Sequence, residues 1–396
     1  MKSITIIVLI IALGGVAAAQ NLTDLYGSGT VTLIPDPEYG SGNNWEELFG
    51  DYDKKAYNNP VGTYRSLAVV GDGSVFVSNY SSYSLYKFDS RGRFVREWGS
   101  EGWGDGQFVN RPILGGVLDD QYVVTREHNG RVNLFDLDGN FVRRLQLDYM
   151  PLKVVALRDS RIAVLGHTSW GSKGQRRFVA IINVETLDEE IVFSRFGSGF
   201  EGCIVVQKDS MTMSIANPTA KVTEFIAATT DGNLVVGQSD SSEVRVFSPY
   251  GDLLHTVDLT ITPLPVTEEI RSEYIAGVEK SVEKGLPEEA LDQVRQADFF
   301  PEKLPYYYNL LVDSDNNILI FVYTEVDSER RFQVYTFEPT GRLVAETEIV
   351  SNEYELSFVP RFNRLVFHGD DIYGILPLKE TAGTPLRLLK MKLAGK

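Results

Sequence analysis

The sequence predicts an all-β fold in which one four-strand unit is repeated around an axis, a β-propeller, and two observations carry that prediction. Gly73 to Gly92, Asp120 to Gly139 and Gly232 to Gly251 are each nineteen residues apart. Each pair brackets the same grammar: a tight turn between two apolar runs, then a stretch ending "FDSRG", "FDLDG" or "FSPYG". A period of this length built from short strands is the signature of propeller blades.

The first unit sets the pattern. Leu67, Val69 and Val70 form an apolar run. Gly71-Asp72-Gly73 supplies a positive-φ hairpin turn, and Val75-Phe76-Val77 resumes the run. A loop at Asn79 to Tyr83 precedes a third strand, Leu85 to Phe88. Asp89 to Gly92 turns the chain, and Phe94 to Trp98 is a fourth strand with period-two alternation. Turns at Asp119-Asp120, Asp159-Ser160, Asp231-Gly232, Asp315-Asn316 and Asp370-Asp371 repeat the grammar, which makes six blades. The last unit runs out of chain after Leu386 to Leu393. Thr30 to Ile34, alternating Thr with Val, Leu and Ile, is expected to supply its missing strand and close the ring, leaving no long unpaired edge.

Two segments interrupt the repeat. In 263–305, Ile270, Tyr274, Val278 and Val282 recur every fourth residue behind Glu268 and Glu269, predicting an amphipathic helix. Gly285 and Pro287 then mark a stop and a restart into a shorter helix containing Leu291, Val294 and Ala297. The second interruption, Gly197 to Ala220, is rich in small and polar residues and gives no clear pattern.

Residues 1–19 read as a signal peptide: Lys2, an apolar core from Ile4 to Leu13, and Ala17-Ala18-Ala19 ahead of cleavage before Gln20. The expected location is therefore secreted or periplasmic, as one domain from 20 to 396. The single Cys203 leaves no intramolecular disulfide to form, so stability must come from packing. A formal net charge of −16 argues against nucleic acid and anionic membranes as partners and favours a soluble monomer.

The junction of the first two units is more specific. Trp98-Gly99-Ser100-Glu101-Gly102-Trp103-Gly104-Asp105-Gly106-Gln107-Phe108, then Pro112 and an apolar strand, resembles the blade connection of NHL-repeat propellers, as do "GDGSVFVSN" and "LFDLDGNFV". With the helical insertion, the chain is similar to six-bladed propellers exported by bacteria. That resemblance implies a fold far more than a chemistry.

In a propeller, the loops between second and third strands and the connections between blades share one face, and that is where a site is expected. Tyr80, Tyr83, Trp103 and Trp170 there suit a stacking platform for a carbohydrate or peptide, against the competing reading that they pack between loops. Arg126, Glu127 and His128 form a charged triplet whose competing reading is an ordinary solvated ion cluster, and His167 occupies the equivalent loop of the next blade. The four histidines are too scattered for a three-ligand zinc site.

The reading favoured is a non-catalytic binding scaffold without cofactor, for a carbohydrate, a peptide or an envelope protein. The enzymatic alternative is a calcium-dependent lactonase or esterase with Asn110, Glu224 and Asn309 at the inner-strand entries as oxygen ligands. Against it, such residues also cap strand ends. No Gly-x-Ser-x-Gly nucleophile elbow is present.

Overall fold

The protein is represented by a computed structural model that describes residues 21–49, 65–79, 82–168, 176–196, 203–208, 211–216, 222–283, 285–296, 299–324, 331–354, 363–377 and 386–395. A one-turn helix, α1 (Leu22–Tyr26), starts at Asn21, whose side chain accepts a hydrogen bond from the Thr23 amide. It leads into β1 (Thr30–Pro35) and a second short helix, α2 (Trp45–Phe49).

Antiparallel meanders follow. The first is β2 (Leu67–Val69), β3 (Val75–Asn79), β4 (Ser84–Phe88) and β5 (Phe94–Trp98). The second is β6 (Ile113–Leu118), β7 (Tyr122–Arg126), β8 (Arg131–Asp136) and β9 (Phe141–Gln146). The third is β10 (Met150–Ala156), β11 (Arg161–His167), β12 (Arg176–Asn183) and β13 (Glu189–Phe196). A two-stranded hairpin, β14 (Cys203–Lys208) with β15 (Met211–Ala216), lies in the segment whose sequence shows no pattern. The fourth meander is β16 (Glu224–Ala228), β17 (Leu234–Gln238), β18 (Glu243–Phe247) and β19 (Leu253–Asp258). Helices α3 (Glu268–Glu283) and α4 (Glu289–Val294) come next. The fifth meander is β20 (Asn309–Val312), β21 (Ile318–Val322), β22 (Arg331–Phe337) and β23 (Leu343–Ser351). The chain ends in β24 (Leu365–His368), β25 (Asp371–Leu376) and β26 (Arg387–Gly395).

The composition of each strand follows its place. Second strands such as β3 and β21 are buried throughout, β21 as an unbroken apolar run and β3 as Val75-Phe76-Val77 followed by Ser78 and Asn79, whereas the fourth strand β5 is mostly exposed. First strands adjoin one another in sequence: β2 with β6, β6 with β10, β10 with β16, β16 with β20, and β24 with β2. Blades thus pack face to face about a common axis, the arrangement of a β-propeller. The core lies between them. Ala68, Phe76, Leu114 and Phe135 fill the first interface, Val124, Leu134, Val154 and Val164 the second, and Val155, Val179, Leu234 and Phe247 the third.

The turns between first and second strands need positive φ, which Gly73 (83°) and Gly232 (82°) supply without a Cβ penalty. Asp119 and Asp120 (both 51°) adopt it too, and their carboxylates are then used. Asp120 Oδ1 accepts from the Gly71 amide at 3.2 Å, and Asp119 accepts from the amides of Asp159 and Ser160 at 3.0 and 2.9 Å. The acids of this face stitch neighbouring blades together.

The segment Thr30 to Ile34 does join the last meander: β1 pairs antiparallel with β26, Leu33 opposite Leu393. Its other edge pairs parallel with β23, Val31 opposite Ile349, a contact the sequence does not suggest. One eight-stranded sheet results, in the order β20-β21-β22-β23-β1-β26-β25-β24. Val31, Leu33 and Tyr26 are buried with Ile349, Met391 and Leu393. Deleting residues 21–35 is therefore expected to give an aggregating protein with a much lower Tm, and Leu33→Ala to cost about 3 kcal/mol in denaturant unfolding. A truncated chain that melts like the intact one would contradict the role given to β1.

The two helices fall where the periodicity places them, though the second stops at Val294 and Ala297 lies outside the described residues; the apolar stripe is covered within the insertion. Ile270, Tyr274, Val278 and Val282 pack with Val294, Phe299, Phe300 and Leu304 inside the same segment, and Tyr323, beyond the end of β21, is the blade side chain that joins them. The insertion carries enough apolar surface to pack largely on itself. Its ends are zipped: Val266 donates to Glu302 O at 3.0 Å, Leu304 to Leu264 O at 2.8 Å, and Pro265 bridges Lys303. Helix α4 also adjoins β14, so the two interruptions of the repeat meet. Replacing residues 266–302 by a short glycine linker should leave a folded propeller, since the joined ends already lie side by side. Hydrogen exchange at Ala227 to Val236 should be unchanged, and loss of protection there would show that the insertion belongs to the blade core.

Candidate functional site

The loop-rich face is built from the entries of first strands and the exits of second strands. Three of the residues expected there turn out to be buried. Arg126 is 1% exposed and donates from Nη1 to Pro151 O at 2.9 Å, crossing from the second blade to the third. Glu127, 0% exposed, accepts from the Asn110 amide at 2.6 Å and from Asn133 Nδ2 at 3.1 Å. His167 is buried at the end of β11, opposite Met150, and only His128 of the triplet stands in solvent. The reading of Arg126, Glu127 and His128 as a solvated ion cluster is corrected by this burial. Strand ends converge at the mouth, and neighbouring blades cover what a linear sequence shows as a polar loop.

The aromatic residues divide. Tyr80 and Trp170 lie outside the described residues. Tyr83, at φ 56°, is half-buried against the cluster of Phe76, Leu85 and Phe108. Trp103 is 73% exposed, yet its loop is held firmly. Phe108 is fully buried as an anchor, Gly102 donates to Phe108 O, Gly104 donates to Gln107 Oε1 at 2.9 Å, and Arg144 reaches the Gly104 carbonyl at 2.9 Å. The Arg131 guanidinium sits 4.7 Å from the centre of the Trp103 ring, a cation–π contact that backs one ring face.

The residues considered as calcium ligands are drawn into separate partnerships. Glu224, itself buried, meets the part-buried Arg177 Nη1 at 2.7 Å in an ion pair, Asn110 lends its amide to Glu127, and Asn309 is buried opposite Phe321 in the β20–β21 pair. Among the described residues no three His, Cys, Asp or Glu side chains gather in a group that could hold a metal ion.

Sequence reasoning missed a set of buried cations. Among the described residues Arg65, Arg126, Arg131, Lys153 and Arg364 are buried, against three buried carboxylates, Glu127, Glu224 and Asp313. In a chain of 38 basic and 54 acidic residues, that inversion is a property of the interior. Arg65 lies just ahead of β2, stacks 4.6 Å over Phe49 and donates to Phe49 O, while its Nε and Nη1 make no hydrogen bond among the described residues. Burial, and then Arg364, push its pKa down to about 10. Lys153 sits in the inner strand β10. Burial first, and Arg126 second, push its pKa from 10.5 down to about 8. One signal was available: a lone lysine inside the run Met150-Pro151-Leu152-Lys153-Val154-Val155.

No family model matches the sequence, and no curated protein matches it either. A solved member of the DUF4221 family from Bacteroides vulgatus is similar at 11% identity, over 93% of this chain and 100% of that one, with a TM-score of 0.51. A Bacteroides fragilis protein provisionally classed as exported is similar over 84% and 90% at a TM-score of 0.47 and 11% identity. Virginiamycin B lyase from Staphylococcus aureus is similar over 87% and 98% at 0.40 and 10% identity. The first of these likenesses supports the overall fold. No helix among the described residues is long and apolar enough to cross a membrane.

At about 1.4 kcal/mol per pKa unit, the fall to about 8 means that roughly 3 kcal/mol is withheld from folding at neutral pH by keeping Lys153 charged. Between about pH 8 and 10.5 the folded lysine has lost its proton while the unfolded one retains it, so stability climbs with pH across that window. Lys153→Met is expected to raise unfolding stability at pH 7 by roughly 2–3 kcal/mol, an advantage that fades by about pH 10.5. Paired denaturant titrations at the two pH values test it, and an unchanged or lowered stability at pH 7 would contradict the burial of an uncompensated charge.

Proposed function

We propose that the protein is an exported, six-bladed β-propeller, its ring completed by β1, that acts as a non-catalytic binding module through its loop-rich face. Six apolar clusters, one between each pair of neighbouring units, support the closed ring. Two of them join the last unit to the fifth and to the first, through Ile349 with Leu389 and through Val77 with Ile375. The leader-like residues 1–19 support export.

The observation that carries the binding role is Trp103. A large apolar ring left 73% in water on a loop fixed by Phe108, Gln107 and Arg144 is an arrangement that stability alone does not favour. A rigid exposed indole offers a broad contact area with little entropy to lose, which suits the face of a sugar ring or an apolar side chain of a peptide or envelope protein. The buried carboxylates of this face are already committed to donors, Glu127 to Asn110 and Asn133 and Glu224 to Arg177, which favours binding over acid–base chemistry.

Screening the mature protein against glycan and peptide arrays, followed by titration of the best binder, tests the reading. Trp103→Ala should weaken that binder by about tenfold or more, a loss of some 1.4 kcal/mol, with Tm nearly unchanged. A large fall in Tm with no effect on binding would make Trp103 a packing residue and remove the basis for the site.

A further inference from the structure

A chain of hydrogen bonds crosses the second blade from the entry of its inner strand to the Trp103 loop. It begins ahead of β6, where the Asn110 amide donates to Glu127 Oε2 at 2.6 Å. The other carboxyl oxygen, Oε1, accepts from Asn133 Nδ2 at 3.1 Å. Asn133, on β8 opposite Arg144 of β9, turns its own Oδ1 to Arg144 Nε at 2.8 Å. Arg144 then donates to the Gly104 carbonyl at 2.9 Å and to the Trp103 carbonyl at 3.4 Å. Glu127 and Asn133 are both 0% exposed, so each relies on the others for its hydrogen bonds. The Glu127 amide also donates to the Arg131 carbonyl at 2.8 Å, tying the same turn to the residue beneath the indole.

The direction of this chain is set at one end. A carboxylate only accepts, whereas an amide side chain has one accepting and one donating end. Glu127 therefore decides which way Asn133 points, with Nδ2 toward the acid and Oδ1 toward the guanidinium. The reverse orientation would set Asn133 Oδ1 against Glu127 Oε1 and Nδ2 against Arg144 Nε, two mismatched contacts in a buried setting. We infer that Glu127 is a positioning residue for the Trp103 platform, acting through Asn133 and Arg144 to hold the loop at 102–107 in place. This rests on the reading of Trp103 as a binding residue and adds a control point that touches neither the indole nor what stacks on it.

The loop needs such a hold. Gly102 and Gly106, at φ 154° and 72°, sit in backbone regions that glycine enters freely, and the buried Phe108 anchors only the C-terminal end of the turn. The Arg144 contacts fix the part that carries Trp103. Arg131 and Asn133 are two residues apart on β8 and share one face of it, so the strand that orients Arg144 also places the guanidinium under the ring. A loop ordered in advance keeps the cost of ordering it out of the binding step.

The test uses the mature protein, residues 20–396, at pH 7, labelled with 5-fluorotryptophan, the Trp103 fluorine signal being assigned by its loss in Trp103→Phe. In Glu127→Gln, no orientation of the two facing amides serves Asn110 and Arg144 together. The Trp103 signal should sharpen and move toward its value in the unfolded chain. The Gly102 and Gly104 amides should exchange about tenfold faster or more, while those of β6 and β7 keep their protection. In Glu127→Gln/Asn133→Asp the donor order is restored, since the new amide donates to the new carboxylate, which still accepts from Arg144. That double variant should recover both the fluorine signal and the loop protection, a rescue that a merely structural role for Glu127 does not predict. If Glu127→Gln alone does not fold, the double variant and Arg144→Met carry the test, and Arg144→Met should loosen the loop in an intact blade. Unchanged loop protection in Glu127→Gln or in Arg144→Met, or no recovery in the double variant, overturns the inference. Loosening with rescue, but no glycan or peptide whose binding needs Trp103, upholds the positioning role and removes the binding reading. A Trp103-dependent binder together with an unchanged loop in Glu127→Gln does the reverse.

Discussion

Everything in this molecule depends on one strand that bonds along both edges. Strand β1 pairs along β26 on one side and β23 on the other, so the first described strand and the last share a sheet. Its neighbours reinforce the junction: Thr347 Oγ1 donates to Tyr26 O at 2.8 Å, Glu348 donates to Gly29 O, and the Leu22 amide reaches Asp315. With a single cysteine, no covalent staple is available within the chain, and backbone hydrogen bonds with a buried apolar patch hold the ends together. The inner strands, and hence the spacing of every group at the mouth, are positioned only as firmly as that junction.

The two faces spend charge in opposite ways. On the short-turn face, acids are architectural: Asp119 and Asp120 fasten adjacent turns, and Asp313 collects the amides of Asp315 and Asn317. On the loop-rich face Arg65 and Arg126 are buried as donors to backbone carbonyls, and Lys153 is buried at a cost to folding. Groups held at a cost to stability are common where function, not packing, selects the residue. The acidic chain therefore encloses a basic interior mouth, a contrast that net charge alone conceals.

Much of the blade pattern was legible because it is local. The glycine turns at Gly73, Gly92, Gly232 and Gly251 and the apolar second strands follow from backbone freedom and period-two burial, and the helix stripe from Ile270 to Val282 follows from its spacing. What was illegible is set by neighbours distant in sequence. Strands β14 and β15 are joined without a glycine turn and lie outside the nineteen-residue spacing, and the parallel β1–β23 contact has no sequence signature. Arg126 and Glu127 look like solvated charges because their burial is imposed by Pro151 of the next blade and by Asn110 and Asn133. Trp103 was legible as a loop aromatic, but its support by Arg131 and Arg144 was not.

The pairing of β1 with β26 also sets a clock on biosynthesis. At a synthesis rate of about 5–20 residues per second, β1 emerges roughly 20–70 s before its partner Met391 exists, while earlier meanders have time to fold as units. Throughout that interval an amphipathic strand with two open edges waits beside a growing nascent chain. Maturation therefore includes a docking event between a segment made early and one made late, and chaperone holding and proteolytic surveillance act before it.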